Sequence, residues 1–260
     1  MPKVKTNNVE TYYEVHGDGT PLVLIHGVGA CTKMWQPQIE PFSRQFKVIV
    51  YDVRGHGESG GYNEKYSIKL FASDLKALLD ELLVARAHIC GLSMGGLVAQ
   101  QFVIDYPAMV DRLILVGTFC HIPLWGRILL YFARGLNRIV LMFISMDTNA
   151  RVAARGLFKK EEHTELRDFF IREVNKISKK EYFKVVAATY AFDSLDRLKE
   201  IGSPTFILNA EGEKQERKQA EILHCEIKNS RRELVPDTFH ASNLEKPEVF
   251  NRLVLDFLSE

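Results

Sequence analysis

The 260-residue sequence predicts an α/β domain built on a mostly parallel sheet, with an all-helical insertion in its middle. Three observations carry that prediction. Short β-branched runs alternate with longer helical patterns, as in a sheet with crossover helices. Those runs are apolar without alternation, which is expected of strands buried on both faces. The alternation stops near residue 119 and resumes only after residue 195.

The elements follow in order. Val9 to Val15 is extended and ends at the turn signal Gly17-Asp18-Gly19. Pro21 to His26 and Phe46 to Asp52 read as buried central strands, followed by Ala87 to Cys90, Leu113 to Val116 and Thr205 to Leu208. Ser67 to Val84 reads as a helix with Ser67 as N-cap and one apolar face of Leu70, Phe71, Leu75, Leu78, Leu79 and Leu82. Met94 to Tyr106 is a second helix, stopped by Pro107. Between Phe119 and Leu195 only helical patterns occur, among them Glu161 to Ile177 and Lys180 to Tyr190. The chain therefore divides into a first core part (1–118), an inserted helical cap (119–195) and a second core part (196–260).

Composition narrows the class. With 46% hydrophobic and 26% charged residues, the chain has the make-up of a globular protein. A net charge of +1 removes the electrostatic footprint of a general nucleic-acid binder. The charge is uneven: the insertion holds 13 Lys and Arg against 8 Asp and Glu, giving it +5. A solvated face is the simpler account of that excess, with attraction of an anionic substrate or a lipid surface as the alternative. Cys31, Cys90, Cys120 and Cys225 form no C-x-x-C pair and are expected to be buried free thiols in a cytoplasmic protein. Residues 1–8 lack an apolar stretch and so do not read as a signal peptide. The most membrane-like segment, Ile128 to Met146, is interrupted by Arg134, Gly135, Asn137 and Arg138, so no membrane span is expected. The histidines show no metal-binding spacing and no dinucleotide or phosphate-loop fingerprint exists, so neither metal nor cofactor is expected.

Gly91-Leu92-Ser93-Met94-Gly95 is a G-x-S-x-G pentapeptide that follows a strand and opens a helix. A serine there sits on a tight, strained turn with its hydroxyl above the sheet edge. The alternative is that Ser93 only caps the helix. His26-Gly27-Val28-Gly29, Asp52-Val53-Arg54-Gly55-His56-Gly57-Glu58-Ser59 and the segment Phe239 to Glu248 follow in order around it, before a closing helix to Leu258. In these motifs the sequence resembles the α/β-hydrolase family over Pro21 to Leu258. The resemblance implies an α/β-hydrolase fold and a nucleophilic serine. It is closer to the serine branch than to the aspartate-dependent dehalogenases and epoxide hydrolases.

The residue types fit nucleophilic acyl transfer. A serine hydroxyl needs a neighbouring base, and His240 is the choice for it. A carboxylate must hold that imidazole. The resemblance places the acid after the penultimate strand, where the chain reads Asn209-Ala210-Glu211-Gly212-Glu213. Glu213 is the assigned acid, with Glu211 as its rival; both depart from the family's usual aspartate. The resemblance also implies an oxyanion hole formed by the backbone N–H groups of Val28 and Met94. Phe239 is a further departure, since glycine is usual before the histidine.

Other candidates read as structure. His26 and His56 belong to turns, Asp52 and Arg54 fix their loop, and Asp193 and Asp196 cap a helix. Asp237 is too near His240 in sequence to orient its ring. Trp125, Leu129, Leu130, Tyr131, Phe132, Leu141, Met142 and Phe143 together suggest an apolar lid. The expected activity is hydrolysis of a small-molecule carboxylic ester with a hydrophobic acyl group, without cofactor or nucleic acid. Lactonase, C–C bond hydrolase, monoacylglycerol lipase and cofactor-free perhydrolase share the constellation. A non-hydrolytic ligand-binding protein is the alternative from another class.

Overall fold

A computed structural model describes residues 2–122 and 144–260. An eight-stranded sheet runs in the order β1-β2-β4-β3-β5-β6-β7-β8. Its strands are β1 (Lys3–Thr6), β2 (Val9–His16), β3 (Thr20–Ile25), β4 (Phe46–Tyr51), β5 (Ala87–Leu92), β6 (Val110–Val116), β7 (Thr205–Ala210) and β8 (Ser230–Val235). β1 pairs antiparallel with β2 and β2 antiparallel with β4; every later pairing is parallel.

The unbroken apolar runs are explained by two-sided burial. Val23, Ile25, Ile49, Ile89, Leu113 and Leu115 join one core layer with α2 (Ile68–Glu81) and α3 (Met94–Asp105). The residues between them, Leu22, Leu24, Val48, Val50, Cys90 and Ile114, join the opposite layer. That second layer packs on α1 (Gln36–Ser43) and α9 (Pro247–Leu258) through Phe42, Phe250, Val254 and Phe257. Successive strand side chains point to opposite faces, so both parities are apolar. The predicted cap of α2 is present, with the Ser67 hydroxyl accepting the Leu70 amide at 3.1 Å.

The edge strands β1 and β8 were not predicted. KVKT and SRRELV carry charges rather than an apolar run, because an edge strand faces solvent along one side. Between β6 and β7 the regular elements among the described residues are helical: α4 (Met146–Leu157), α5 (Thr164–Lys176) and α6 (Lys179–Ala191), with short 3₁₀ turns at Glu161–His163 and Leu195–Glu200. Ala150, Ala154, Phe158, Phe170 and Val174 give this segment a small core, shared with Ala241. The expected lid residues, Trp125 to Phe143, and most of the membrane-like segment lie outside the described residues. Among the described residues no helix is long and apolar enough to cross a membrane. Among the described residues the remaining α-helices are α7 (Lys214–Glu226) and the single turn α8 (Ser242–Glu245).

All four cysteines are free, but Cys225 is exposed, against the expectation of four buried thiols. It lies in the last turn of α7, beyond the buried positions Ala220 and Leu223. The loop after β4 is fixed as anticipated, though by separate partners. Asp52 accepts the amides of Thr32 (2.7 Å) and Glu58 (2.8 Å). Arg54 forms a two-pronged pair with Asp74 at 2.6 and 2.7 Å, both side chains being almost fully buried. Asp193 accepts the Leu195 amide at 3.2 Å, at the start of a 3₁₀ turn.

Removing one member of the Arg54–Asp74 pair strands a buried charge. Asp74→Ala should therefore cost about 3–5 kcal/mol in urea unfolding, whereas Arg54→Met combined with Asp74→Leu should cost much less. Equal losses would contradict the stranded-charge account.

Candidate active site

The carboxyl ends of β3, β5, β6, β7 and β8 deliver every site residue to one edge of the sheet, where open α/β sheets bind ligands. At the end of β5 the chain passes directly into α3. Ser93, between them, has φ +56° and ψ −116°, a conformation that costs a non-glycine residue on the order of 1–3 kcal/mol. Its amide donates to Val116 O (2.8 Å), and its carbonyl accepts the Thr118 hydroxyl (2.8 Å) and the Gly96 amide (2.9 Å). The flanking glycines are obligatory. A Cβ on Gly91 would lie 2.2 Å from Gly95 O, and one on Gly95 would lie 2.1 Å from Ile25 O. The Ser93 side chain makes no capping hydrogen bond, so helix capping is not its function. It lines a cavity of about 1890 Å³.

The turn after β3 packs against this serine, since a Cβ on Gly27 would fall 3.3 Å from Ser93 Cβ. His26 holds the turn: its Nε2 accepts the Val53 amide (2.9 Å), so Nδ1 carries the proton and donates to Gly27 O (2.8 Å). Burial pushes its pKa down to about 4 and that of the adjacent His56 down to about 3. Both are neutral packing groups. Val28 lines the cavity beyond this turn. Met94 is the first residue of α3, so its amide has no acceptor within the helix.

His240 lies in the loop after β8 and lines the same cavity. Its Nδ1 is 2.5 Å from Glu216 Oε1. Neither acid expected from the turn meets the imidazole. Glu213 precedes α7 and pairs with Lys159 at 2.7 Å. Glu211 accepts the Asp237 amide at 3.0 Å, and the Asp237 carboxylate pairs with Lys160 and Lys246. Glu216 reaches the ring because it sits in the first turn of α7, four residues before buried Ala220 and seven before buried Leu223. The helical spacing of Glu216, Ala220 and Leu223 is the signal that points to it once α7 and its buried face are known. Burial alone would lower the His240 pKa, but the charge and hydrogen bond of Glu216 outweigh it and hold the pKa above its ordinary value.

Glu245 completes the loop, and sequence reasoning gave it no task. Its fully buried carboxylate accepts the amides of Phe239 (3.0 Å), His240 (3.0 Å) and Ala241 (3.1 Å). His163 of the helical insertion approaches it at 3.7 Å. Burial raises the Glu245 pKa, opposed by these amides and by His163. Among the described residues no group of three or more His, Cys, Asp or Glu is arranged to hold a metal ion.

The sequence profile described as the alpha/beta hydrolase fold matches residues 20–247. The chain belongs to this family. Its similarity extends over whole chains. It is 28% identical to a putative carbamate hydrolase RutD of Azorhizobium caulinodans, covering 100% of this chain and 99% of that one. It is 29% identical to 3-oxoadipate enol-lactonase 2 of Acinetobacter baylyi, covering 91% and 88%. Among solved structures it resembles the enol-lactonase from Burkholderia xenovorans LB400, with TM-score 0.90, 26% identity and full coverage of both chains. It also resembles a carboxylesterase of Nitrososphaera gargenis, with TM-score 0.86, 26% identity and coverage of 99% and 98%. These alpha/beta hydrolase relatives support hydrolase activity.

Two measurements follow from the geometry. In an NMR titration His240 should give a pKa above the model-peptide value of about 6.5. Glu216→Gln should lower it, and Glu213→Gln should lower it less. The stabilisation His240 gives the fold is then complete below about pH 6.5 and fades as pH rises through its folded pKa. Separately, Glu245→Ala should lower stability by about 2–4 kcal/mol, since it leaves buried amides unpaired; an unchanged urea midpoint would refute that account.

Proposed function

We propose that the protein is a serine hydrolase that cleaves carboxylic esters by acyl transfer through Ser93. The observation that carries this reading is the strained Ser93 turn facing the same cavity as a His240 imidazole bonded to Glu216. With Nδ1 occupied by Glu216, Nε2 is the nitrogen left to exchange a proton with the serine. His240 Nε2 takes the Ser93 proton as Oγ attacks the ester carbonyl. The resulting imidazolium is stabilised by Glu216 and returns the proton to the leaving alcohol as the C–O bond breaks. Water then attacks the acyl-enzyme by the same route, giving the acid and free Ser93. The amides of Val28 and Met94 are the proposed oxyanion donors. Met94 adds the partial positive charge of the α3 N-terminus.

Glu216, rather than Glu213, is the proposed acid of the triad. The residues 119–195 act in this reading as a cap, because α4, α5 and α6 supply one wall of the cavity above Ser93. Phe158, Phe170 and Phe183 on that wall favour a hydrophobic acyl group. A cyclic ester is the second reading, favoured by the whole-chain similarity to enol-lactonases; the acyl-transfer steps are the same, with the leaving alcohol still tethered.

Hydrolysis of p-nitrophenyl esters from acetate to palmitate tests the proposal. Ser93→Ala should lose about a thousandfold or more in kcat. Glu216→Gln should lose on the order of a hundredfold or more, and Glu213→Gln only a few-fold. Retention of activity by Ser93→Ala would sink the serine mechanism. Wild type inert to esters and lactones alike, yet binding them tightly with or without Ser93, would favour a ligand-binding protein instead.

A further inference from the structure

The charges around the cavity are one-sided. Lys65, Lys179, Lys180, Lys184 and Lys218 line it, and Glu216 is the one carboxylate among the described lining residues. Glu216 is already committed to His240. Of the lysines, Lys184 is neutralised by Glu181 at 2.9 Å. The other four have no carboxylate within 4.0 Å among the described residues. Lys179 Nζ donates to the Ile144 carbonyl (3.0 Å) and Lys180 Nζ to Asn63 Oδ1 (2.8 Å), which are neutral acceptors. Residues 123–143 contain Arg127, Arg134 and Arg138 but no Asp or Glu, so that segment adds no carboxylate wherever it lies.

The molecule as a whole carries only +1, so the excess is local to the cavity and the insertion. A low-dielectric cleft lined by one sign of charge focuses its field and concentrates ligands of the other sign. Here the cations, of which Lys65, Lys180 and Lys218 are exposed and Lys179 is half-buried, flank apolar walls that include Phe119, Phe158, Phe170 and Leu244. From this we infer that the substrate is an ester with an apolar stretch and a negative charge at the end remote from the scissile bond. The inference rests on the ester-hydrolase reading and names the substrate class of that same site. Carboxylate and phosphate share the required chemistry.

The test compares p-nitrophenyl octanoate with mono-p-nitrophenyl suberate, with its ω-phosphate analogue and with an ω-trimethylammonium analogue. At low ionic strength kcat/KM should be higher by about tenfold for an anionic ester than for the neutral one, and lowest for the cation. The better of the two anions identifies the headgroup. The preference should shrink in about 0.5 M NaCl, where screening is effective within a few ångströms. It should also shrink in Lys65→Ala combined with Lys218→Ala, but not in Lys228→Ala, an exposed lysine outside the cavity lining. Equal or better turnover of the neutral and cationic esters overturns the inference. If no ester is turned over, the hydrolase reading has failed, and calorimetry with suberate against octanediol decides the charge question alone. Tighter binding of suberate then upholds the anionic class, and equal binding overturns it.

Discussion

The close approach of β5, the Ser93 turn and α3 to the end of β3 is the constraint on which the rest of the site depends. Two positions, Gly91 and Gly95, have backbone atoms within about 2.2 Å of where a Cβ would stand. The strand therefore turns into the helix with no side chain between them, and Ser93 is held at positive φ. Such strain persists only where the surroundings over-determine it. Here they do: β5 is buried along its whole length, pairs with β3 and β6, and hands its last amide bond to Val116. The same packing sets the neighbouring turns, because His26 and Gly27 leave β3 against the serine.

A second layer of constraint holds the histidine loop. Its backbone amides converge on the buried Glu245 carboxylate, while its imidazole is held from another element, α7. Position and orientation of the ring thus come from two different carboxylates. Glu245 fixes the main chain and Glu216 the side chain. Gly117 makes room for Glu216 beside the histidine loop, since a Cβ there would sit 3.3 Å from both Glu216 Oε2 and His240 O.

The described helices between β6 and β7 are fastened along two sides. On one, Tyr66 donates its hydroxyl proton to Glu181, Lys184 bonds the Tyr62 carbonyl and Lys180 reaches Asn63. On the other, Lys159 and Lys160 pair with Glu213 and Asp237. Glu213 thereby acts in the structure as an anchor for the insertion, which explains why a carboxylate occupies that turn without facing the imidazole. Most of these pairs are at least partly exposed, so each contributes little and the attachment is a sum of weak contacts.

What the sequence alone determined is local and near-local. Both parities of β3, β4 and β5 are apolar, so two-sided burial was legible. Ser67 and Pro107 marked helix ends, and the glycines around Ser93 marked the turn. The motifs also announced the histidine segment, because its residues lie within ten positions of one another. The edge strands were not legible, since a strand with one solvated side loses its hydrophobic signal. Tertiary structure decided which carboxylate meets His240. Glu211, Glu213 and Glu216 lie within six residues, and linear distance does not distinguish them. Their order in the chain fixes only that each lies near the start of a helix. The packing of Ala220 and Leu223 against the core rotates α7 so that Glu216 faces inward, and that rotation is a property of the folded layer rather than of the turn.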